Sequence, residues 1–258
     1  MAIAPRGTFG ATVDGSLVGT CIGLDYGGFG WIAMMLVDPV HRRLGLGAAL
    51  LRRAIAALPR EAPIRLDATS LGRPLYAQHG FTDECALTRF VAERAIFDNA
   101  EVEAHILDAV RPMTASDLPV VLDVDARVFG GNRRHVLEWA LAAAPEYCAI
   151  AMGADSLAGY VFGRHGRVFD QIGPVVARSE SVARALVRRA VEVSPRRRGI
   201  DSFDGRPEWD QWLGRCGFLA ERPLLRMRRE RADGVAQGIA GANDGPLRAF
   251  AILGPEFG

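Results

Sequence analysis

The chain has 258 residues, of which 49% are hydrophobic and 24% charged, as is ordinary for a soluble protein with a core. The formal net charge of +1 gives no reason to expect a nucleic-acid partner, and no apolar run is long enough to span a bilayer. Four cysteines lie far apart without a CxxC pair, so we expect no metal site. Scattered single cysteines are typical of a reducing cytoplasm, where we expect the protein.

The first third of the chain predicts three strands, a helix, a strand, a short helix and a strand. Asp14-Gly15 between two apolar runs is a hairpin signal, and the third run, GWIAMMLV, is apolar on consecutive residues like a central strand. Apolar residues then recur at helical spacing up to Pro59. The remaining elements are read from the runs IRLDAT, RPLYAQHGF and ALTRFVAE.

After a connector at about 94–108, the pattern predicts two helices, three strands and a helix. Thr114 or Ser116 is the candidate N-cap of the first of these helices. The tail after Ala232 is rich in glycine, and AFAILGPEFG then predicts an edge strand that closes the second sheet. The basic runs PRRRG (195–199) and RMRRER (226–231) are interpreted as solvated faces and strand edges.

The two halves of the chain repeat one another. RRAI at 52–55 matches RRAV at 188–191, RLDA at 65–68 matches SFDG at 202–205, and Gly80-Phe81 matches Gly217-Phe218. We therefore predict two related units, residues 1–93 and 109–258. Residues 112–144 have no counterpart before Thr8, so the first unit is expected to lack an opening strand and helices.

One loop carries the strongest chemical signal. The stretch LVDPVHRRLGLGAALL (36–51) is a strand end, two arginines, a Gly-x-Gly and a helix start. Backbone N–H groups at such a helix terminus form a ready phosphate site, and Arg42 and Arg43 add positive charge. A tight strand-to-helix turn without a ligand explains the same residues, and the full dinucleotide or P-loop motif is missing.

The run from Arg42 to Gly47 resembles the R/Q-x-x-G-x-G/A signature of the GNAT superfamily of N-acetyltransferases. The order of elements agrees, and so does Tyr76 four residues before Gly80-Phe81. The resemblance covers about 8–91 and 110–258. It implies an α/β fold, with α+β character, in which each of two tandem domains has a mostly antiparallel sheet and a splayed central strand pair. It also implies acetyl-CoA as cosubstrate.

The resemblance implies roles for individual residues. Leu36 and Val37 would face the pantetheine arm, and the Val37 amide would stabilise the oxyanion of the thioester. The pyrophosphate would be held by the loop residues Arg42, Arg43, Leu44, Gly45, Leu46, Gly47 and Ala48. Tyr76 would protonate the departing thiolate. The alternative for Tyr76 is a core tyrosine with a hydrogen-bonded tip.

The general base is not evident. Many relatives carry Glu or His on the strand before the loop, whereas WIAMMLV has no titratable side chain. Asp67 on the next strand is the nearest candidate, although a carboxylate that caps a strand end explains it as well. His41 and His79 are interpreted as loop and helix-end residues. A base relayed through water, or one supplied by the other unit, stays open.

The second unit has lost the signature. Its aligned loop is Arg178-Ser179-Glu180-Ser181-Val182-Ala183, without glycine, and Leu213 stands where Tyr76 is expected. We therefore expect this domain not to be catalytic. Asp170 and the acidic residues near Trp209 and Trp212 are weighed as an amine-receiving cluster, or as a solvated loop beside two core tryptophans.

Two hypotheses follow. The first is an acetyltransferase that moves an acetyl group to a primary amine, most simply a small molecule, by direct attack in a ternary complex. The second is a non-catalytic acyl-CoA-binding or interaction module. No membrane partner is expected, and the unpaired edge left by a missing opening strand favours a homodimer.

Overall fold

The computed structural model describes residues 6–98, 102–154, 156–230 and 247–258. The elements of the first part of the chain follow the predicted order. They are β1 (Thr8–Val13), β2 (Ser16–Asp25), β3 (Gly30–Val37), α1 (Leu46–Ala57), β4 (Ile64–Ala68), α2 (Arg73–Ala77) and β5 (Thr82–Ala92). A 3₁₀ turn, Pro39–His41, lies between β3 and α1.

The rest of the chain contains the predicted helices and strands and, in addition, a short helix within the expected connector at about 94–108 and a short strand directly after it. Its elements are α3 (Ala104–Asp108), β6 (Val110–Pro112), α4 (Leu118–Phe129), α5 (Arg134–Ala143), β7 (Ala149–Met152), β8 (Leu157–Arg164), β9 (Asp170–Ala177), α6 (Glu180–Glu192), β10 (Arg198–Phe203), α7 (Pro207–Arg215), β11 (Leu219–Arg229) and β12 (Arg248–Ile252). Of the two predicted caps, Thr114 forms a capping box with Asp117 just before α4.

The described chain forms two compact units whose boundaries differ from the expected 1–93 and 109–258. The first unit consists of 6–85, 224–230 and 255–258, and the second of the remaining described residues up to Gly254. The difference arises because two long strands cross between units. The end of β11 pairs with β4, and the end of β5 pairs with β10. Local sequence patterns contain no information about such long-range pairing.

The sheet of the first unit has the order β1-β2-β3-β4-β11, and only the β3–β4 pair is parallel. Helix α1 packs on one face of it. Leu50, Leu51 and Ala54 are buried there against Ile64 and Leu66, each buried leucine contributing about 1.5–3 kcal/mol. Because strand side chains alternate between faces, Arg65 and Asp67 point to the opposite face.

The sheet of the second unit has the order β5-β10-β12-β9-β8-β7-β6 and is also mostly antiparallel. Helix α6 buries one side in the same core as Trp209 and Trp212, which are 0% and 1% exposed. The interpretation of the two tryptophans as core residues is confirmed.

The final strand was predicted wrongly as a sheet edge. β12 lies inside the second sheet, pairing with β9 through Val175 to Ala177 and with β10 through Asp201 and Ser202. Gly173 makes room for it, because a Cβ added there would lie 2.0 Å from the carbonyl oxygen of Ile252. The end of β12 is apolar because Phe250, Ala251 and Ile252 are buried within the sheet.

The two basic runs are also more buried than predicted. Arg198 is 2% exposed and donates to the carbonyl oxygens of Val191 and Ser194, and Arg226 is 9% exposed in an ion pair. In the part of the chain described here, no helix is long and apolar enough to cross a membrane. The same residues contain no group of three or more His, Cys, Asp and Glu arranged to hold a metal ion.

Candidate active site in the first unit

Strands β3 and β4 separate after a short contact. They pair in parallel only at Gly30 with Ile64 and at Trp31 with Arg65. Met34 then adopts a φ of 49°, and the register of β3 against β2 shifts in the same region. Beyond this irregularity, the last four residues of β3 do not pair with β4. A slot therefore opens between the two strands.

The slot is bordered by exposed apolar side chains. Met34 is 42% and Leu36 57% exposed, whereas Trp31 and Ile32 earlier on the same strand are buried. Exposed apolar groups beside unpaired backbone are suited to an extended ligand with both amide and methylene groups.

The backbone of Val37 faces this slot. The amide of Asp38 donates to the carbonyl oxygen of Val18 on β2 at 2.8 Å. Amides alternate in direction along an antiparallel strand, so the N–H of Leu36 points towards β2 and that of Val37 points away from it. The predicted oxyanion donor is thus directed into the gap.

The loop between β3 and α1 leaves the first backbone amides of α1 without a side-chain cap. Asp38 accepts from the amide of Val40 and starts the 3₁₀ turn, and Arg42 Nε returns to the carbonyl oxygen of Val37 at 3.1 Å. Arg43 and Gly45 have φ values of 66° and 79°. Gly45 is the N-cap of α1 and provides no side-chain hydrogen bond, so the first amides of α1 stay available for an anion.

The remaining loop positions differ in exposure. Leu44 is 68% exposed and the arginines at 42 and 43 are also exposed, with no ion pair to any described residue. Leu46, Gly47 and Ala48 in the first turn of α1 are half-buried. The loop therefore presents positive charge and free amides together.

Helix α2 lies beside the same loop. A Cβ added to Gly47 would lie 3.4 Å from Leu75 Cδ2 and 3.7 Å from Val37 Cγ2, so the end of β3, the start of α1 and α2 meet there. Tyr76, the next residue of α2, is 7% exposed and packs edge-to-face on Phe81 with ring centroids 6.0 Å apart.

Tyr76 is protonated throughout the usual pH range. Burial raises the pKa of its phenol, with a smaller contribution from the nearby Cys21. No described residue forms a hydrogen bond with the hydroxyl. The alternative of a core tyrosine with a hydrogen-bonded tip therefore has no partner for that tip among the described residues. The raised pKa keeps the phenol protonated but makes it a weaker acid.

Asp67 lies on a different face of the sheet from the Tyr76 phenol. Its carboxylate is fully buried and receives two hydrogen bonds from Arg226, at 2.8 Å from Nε and 3.0 Å from Nη2. Arg226 in turn stacks over Trp31 at 4.9 Å. Asp67 points to the sheet face opposite α1, whereas Tyr76 packs in the core on the α1 side. The structure does not bring the two together.

The two histidines near the loop have local partners. His79 Nδ1 lies 2.9 Å from the carbonyl oxygen of Leu75, and His41 lies 3.6 Å from the carboxylate of Asp38, its own neighbour in the turn. Both contacts agree with the interpretation as helix-end and loop residues.

In the second unit, the gap that corresponds to the slot between β3 and β4 is filled by a strand. β9 and β10 pair in parallel only at Asp170 with Arg198 and at Gln171 with Gly199, after which β12 occupies the gap and pairs with both strands. β9 is buried over its whole length. In place of Gly45, Ser179 caps α6 by accepting from the amide of Val182 at 3.3 Å.

Three acidic residues of the second unit form hydrogen bonds or ion pairs with neighbouring side chains. Asp201 is fully buried and held by Arg89 at 2.6 and 2.7 Å, and Asp204 accepts from Thr88. Asp170 is fully buried and accepts from Tyr147 at 2.6 Å, with Arg196 at 3.1 Å. These carboxylates hold the fold and do not form a common amine site.

Comparison with known proteins agrees with this geometry. One family model described as an acetyltransferase (GNAT) domain matches residues 5–83, and a second with the same description matches residues 121–236. The uncharacterized N-acetyltransferase YitH of Bacillus subtilis (strain 168) is 30% identical over 179 residues, which are 69% of this chain and 61% of the relative. The chain thus spans about three fifths of that relative's length.

Solved structures show the same fold. A proposed acetyltransferase from Pyrococcus horikoshii has a TM-score of 0.75 at 24% identity, covering 99% of this chain and 82% of that one. A tandem GNAT protein from the clavulanic acid biosynthesis pathway has a TM-score of 0.54 at 16% identity, covering 89% of this chain and 85% of its own.

Proposed function

Because the chain belongs to the GNAT superfamily of acetyltransferases, we propose that its first unit is an acetyl-CoA-dependent N-acetyltransferase. It moves the acetyl group to a primary amine by direct attack within a ternary complex. The observation that carries the proposal is the slot between β3 and β4, which is open and ends at the uncapped start of α1. The acceptor is a small-molecule amine, and the four free cysteines favour the cytoplasm.

The loop residues 42–48 hold the pyrophosphate. The free amides at the start of α1 are the donors, the positive φ of Gly45 lets the backbone turn around the anion, and the two exposed arginines supply charge. The pantetheine arm lies along Leu36 and Val37, where its amides pair with strand backbone that β4 leaves free.

The reaction forms one bond and breaks one. The neutral amine attacks the thioester carbonyl carbon, the N–C bond forms, and the oxyanion is stabilised by the Val37 amide. The C–S bond then breaks, Tyr76 gives its proton to the departing sulfur, and solvent returns to the phenolate the proton that the amine has lost. The ion pair with Arg226 weighs against Asp67 as base, so we assign removal of the amine proton to water.

The second unit, in this proposal, is a non-catalytic domain. Three features support that role: β12 in the gap, Ser179 in place of the N-cap glycine, and Leu213 at the position of Tyr76. The outer edge of β1 pairs with no other described strand, so a homodimer formed along this edge stays a prediction.

The test is release of free thiol from acetyl-CoA with a panel of primary amines, alongside calorimetric binding of CoA. Thiol release that depends on both substrates supports the enzyme. Binding without thiol release on any amine supports the acyl-CoA-binding module instead, and absence of CoA binding contradicts both.

A further inference from the structure

Helix α1 and the loops at its two ends carry a dense group of exposed positive charges. Between Asp38 and Glu61 the chain has no acidic residue, although its formal net charge is only +1. Among the described residues, none of the arginines in this segment forms an ion pair, whereas Arg73, also exposed, pairs with Asp83 at 2.6 Å. The five exposed arginines of the segment are Arg42, Arg43, Arg52, Arg53 and Arg60.

The arginines of α1 lie on its outer face. The buried residues of the helix face the sheet, and Ala49, Arg52, Arg53 and Ala56 are exposed. Residues three and four positions apart share a helix face, so the two arginines lie between small side chains. The outer face of α1 is therefore positive and flat, and an acidic surface can approach it closely.

Free CoA accounts for only part of this charge. In the proposed function its pyrophosphate lies at the start of α1, beside Arg42 and Arg43. An α-helix rises about 1.5 Å per residue, so Arg53 lies about 10 Å further along the axis. Arg60 follows the far end of the helix. The charge beyond the first turns of α1 is suited to a larger acidic partner.

Exposed apolar side chains beside the arginines favour a protein as this partner. Val40 is 84% and Leu44 68% exposed. Protein interfaces combine an apolar centre with complementary charges at the rim. Single-stranded nucleic acid is held by stacking on aromatic side chains, and residues 39–60 contain none. A protein bound over this loop would cover the mouth of the slot, unless the protein itself carries the acetyl donor.

Resting on the proposed function, we propose that an acidic acyl carrier protein docks on α1 as a second acetyl donor. Such a protein carries, on a serine, the same phosphopantetheine arm as CoA. Its phosphate lies at the start of α1 and its arm in the slot, so its body covers the loop and the outer arginines. The amine attacks the thioester carbon, the N–C bond forms and the C–S bond breaks. The carrier's sulfur takes up one proton and the amine loses one.

The test compares two donors by the free thiol that they release with the amine panel. The donors are acetyl-CoA and an acidic bacterial acyl carrier protein loaded with acetyl-phosphopantetheine, and transfer from both is expected. The variant R53E/R60E should lower kcat/KM at least tenfold with the carrier and less than twofold with acetyl-CoA. The matched control is R94E/R167E, which changes the net charge equally at two exposed arginines of the second unit. It should leave both donors unaffected.

The outcomes separate the docking surface from the proposed function. Transfer from acetyl-CoA but not from the carrier overturns the inference and leaves the proposed function intact, whereas thiol release from neither donor contradicts both. An equal loss with both donors would assign the arginines to CoA. Binding to phosphatidylglycerol vesicles that R53E/R60E abolishes, with carrier transfer unchanged, would assign the face to a lipid surface. If R53E/R60E does not fold, R53Q/R60Q replaces it, with an expected loss of at least threefold.

Discussion

Gly45 and Ser179 are the N-caps of equivalent helices, and only Ser179 hydrogen-bonds to its own helix. Ser179 Oγ accepts from the amide of Val182, whereas Gly45 has a φ of 79° and leaves the start of α1 without a side-chain cap. A helix start that lacks a cap must satisfy its amides with water or a ligand. This contrast supports the proposal that a cosubstrate binds in the first unit and not in the second.

The first prediction concerns Gly45→Asp. The carboxylate would put negative charge at the start of α1, where the pyrophosphate is expected, so we expect CoA affinity to fall at least a hundredfold by calorimetry. Gly15→Asp is the matched control, because Gly15 has a φ of 78° and, like Gly45, no atom within 4 Å of an added Cβ. Both variants should lose similar stability, and equal CoA affinity in the two would contradict the role of the loop.

The second prediction is that Tyr76→Phe lowers turnover at least tenfold and leaves CoA affinity unchanged. The phenol forms no hydrogen bond with the described residues, so its removal should barely change the thermal midpoint. The control is Tyr26→Phe, whose hydroxyl donates to the carbonyl oxygen of Phe257; it should lose about 1 kcal/mol of stability and retain turnover. Full turnover in the Tyr76 variant would remove this residue from the mechanism.

Sequence patterns predicted the elements well but not the partners of buried charges. The glycines of the loop and the helical spacing of α1 are local signals. Arg226 lies 159 residues from Asp67, and its run of arginines looks like a solvated strand edge until β11 is placed against β4. The position of β12 between two other strands was missed for the same reason. Pairing on both edges of a strand depends on the assembled sheet and leaves no local pattern in the sequence.

The third prediction distinguishes a structural role of Asp67 from a catalytic one. Asp67→Asn leaves Arg226 as a buried cation without its counter-charge, which should cost about 3–5 kcal/mol of unfolding free energy in urea. We expect turnover per folded molecule to be kept within about threefold. A loss of turnover that exceeds the loss of folded protein would restore Asp67 as the base. Asp83→Asn, which breaks an exposed ion pair with Arg73, is the control.

The fourth prediction concerns the thiols and alkaline pH. Burial raises the pKa of Cys21 and of Cys148 to about 12 from an ordinary value of 9.0. Both thiols should therefore resist a disulfide reagent at pH 8 in the folded protein and react after unfolding. The folded pKa values lie above the unfolded ones, so the stability that these groups contribute is complete below pH 9 and is lost between pH 9 and about 12.

The loss of stability between pH 8 and pH 12 should be smaller in the double variant C21A/C148A than in the wild type, because the tyrosines with raised pKa values still contribute to it. Rapid labelling of either cysteine at pH 8 in the folded chain would contradict the burial of these side chains. The result matters for the thiol-release assay, because these two protein thiols should add no background signal.

The fifth prediction concerns Gly173 and β12. A Cβ at Gly173 would lie 2.0 Å from the backbone oxygen of Ile252, and the φ of 146° disfavours any other residue. Gly173→Ala should therefore displace β12 and lower the unfolding free energy by several kcal/mol, of the order found for strained core substitutions. Gly214→Ala is the control, since an added Cβ there meets no atom within 4 Å in helix α7. It should stabilise the chain by up to about 1 kcal/mol.

Calorimetry on the wild type and on Gly45→Asp tests which of the two units binds the cosubstrate. If β12 excludes the cosubstrate from the second unit, the wild type should bind one CoA per chain. Gly45→Asp should remove all measurable binding, because the second helix start is capped by Ser179 and its gap is filled. Residual binding of one CoA per chain in Gly45→Asp would place a working cosubstrate site in the second unit and reverse the assignment of the two domains.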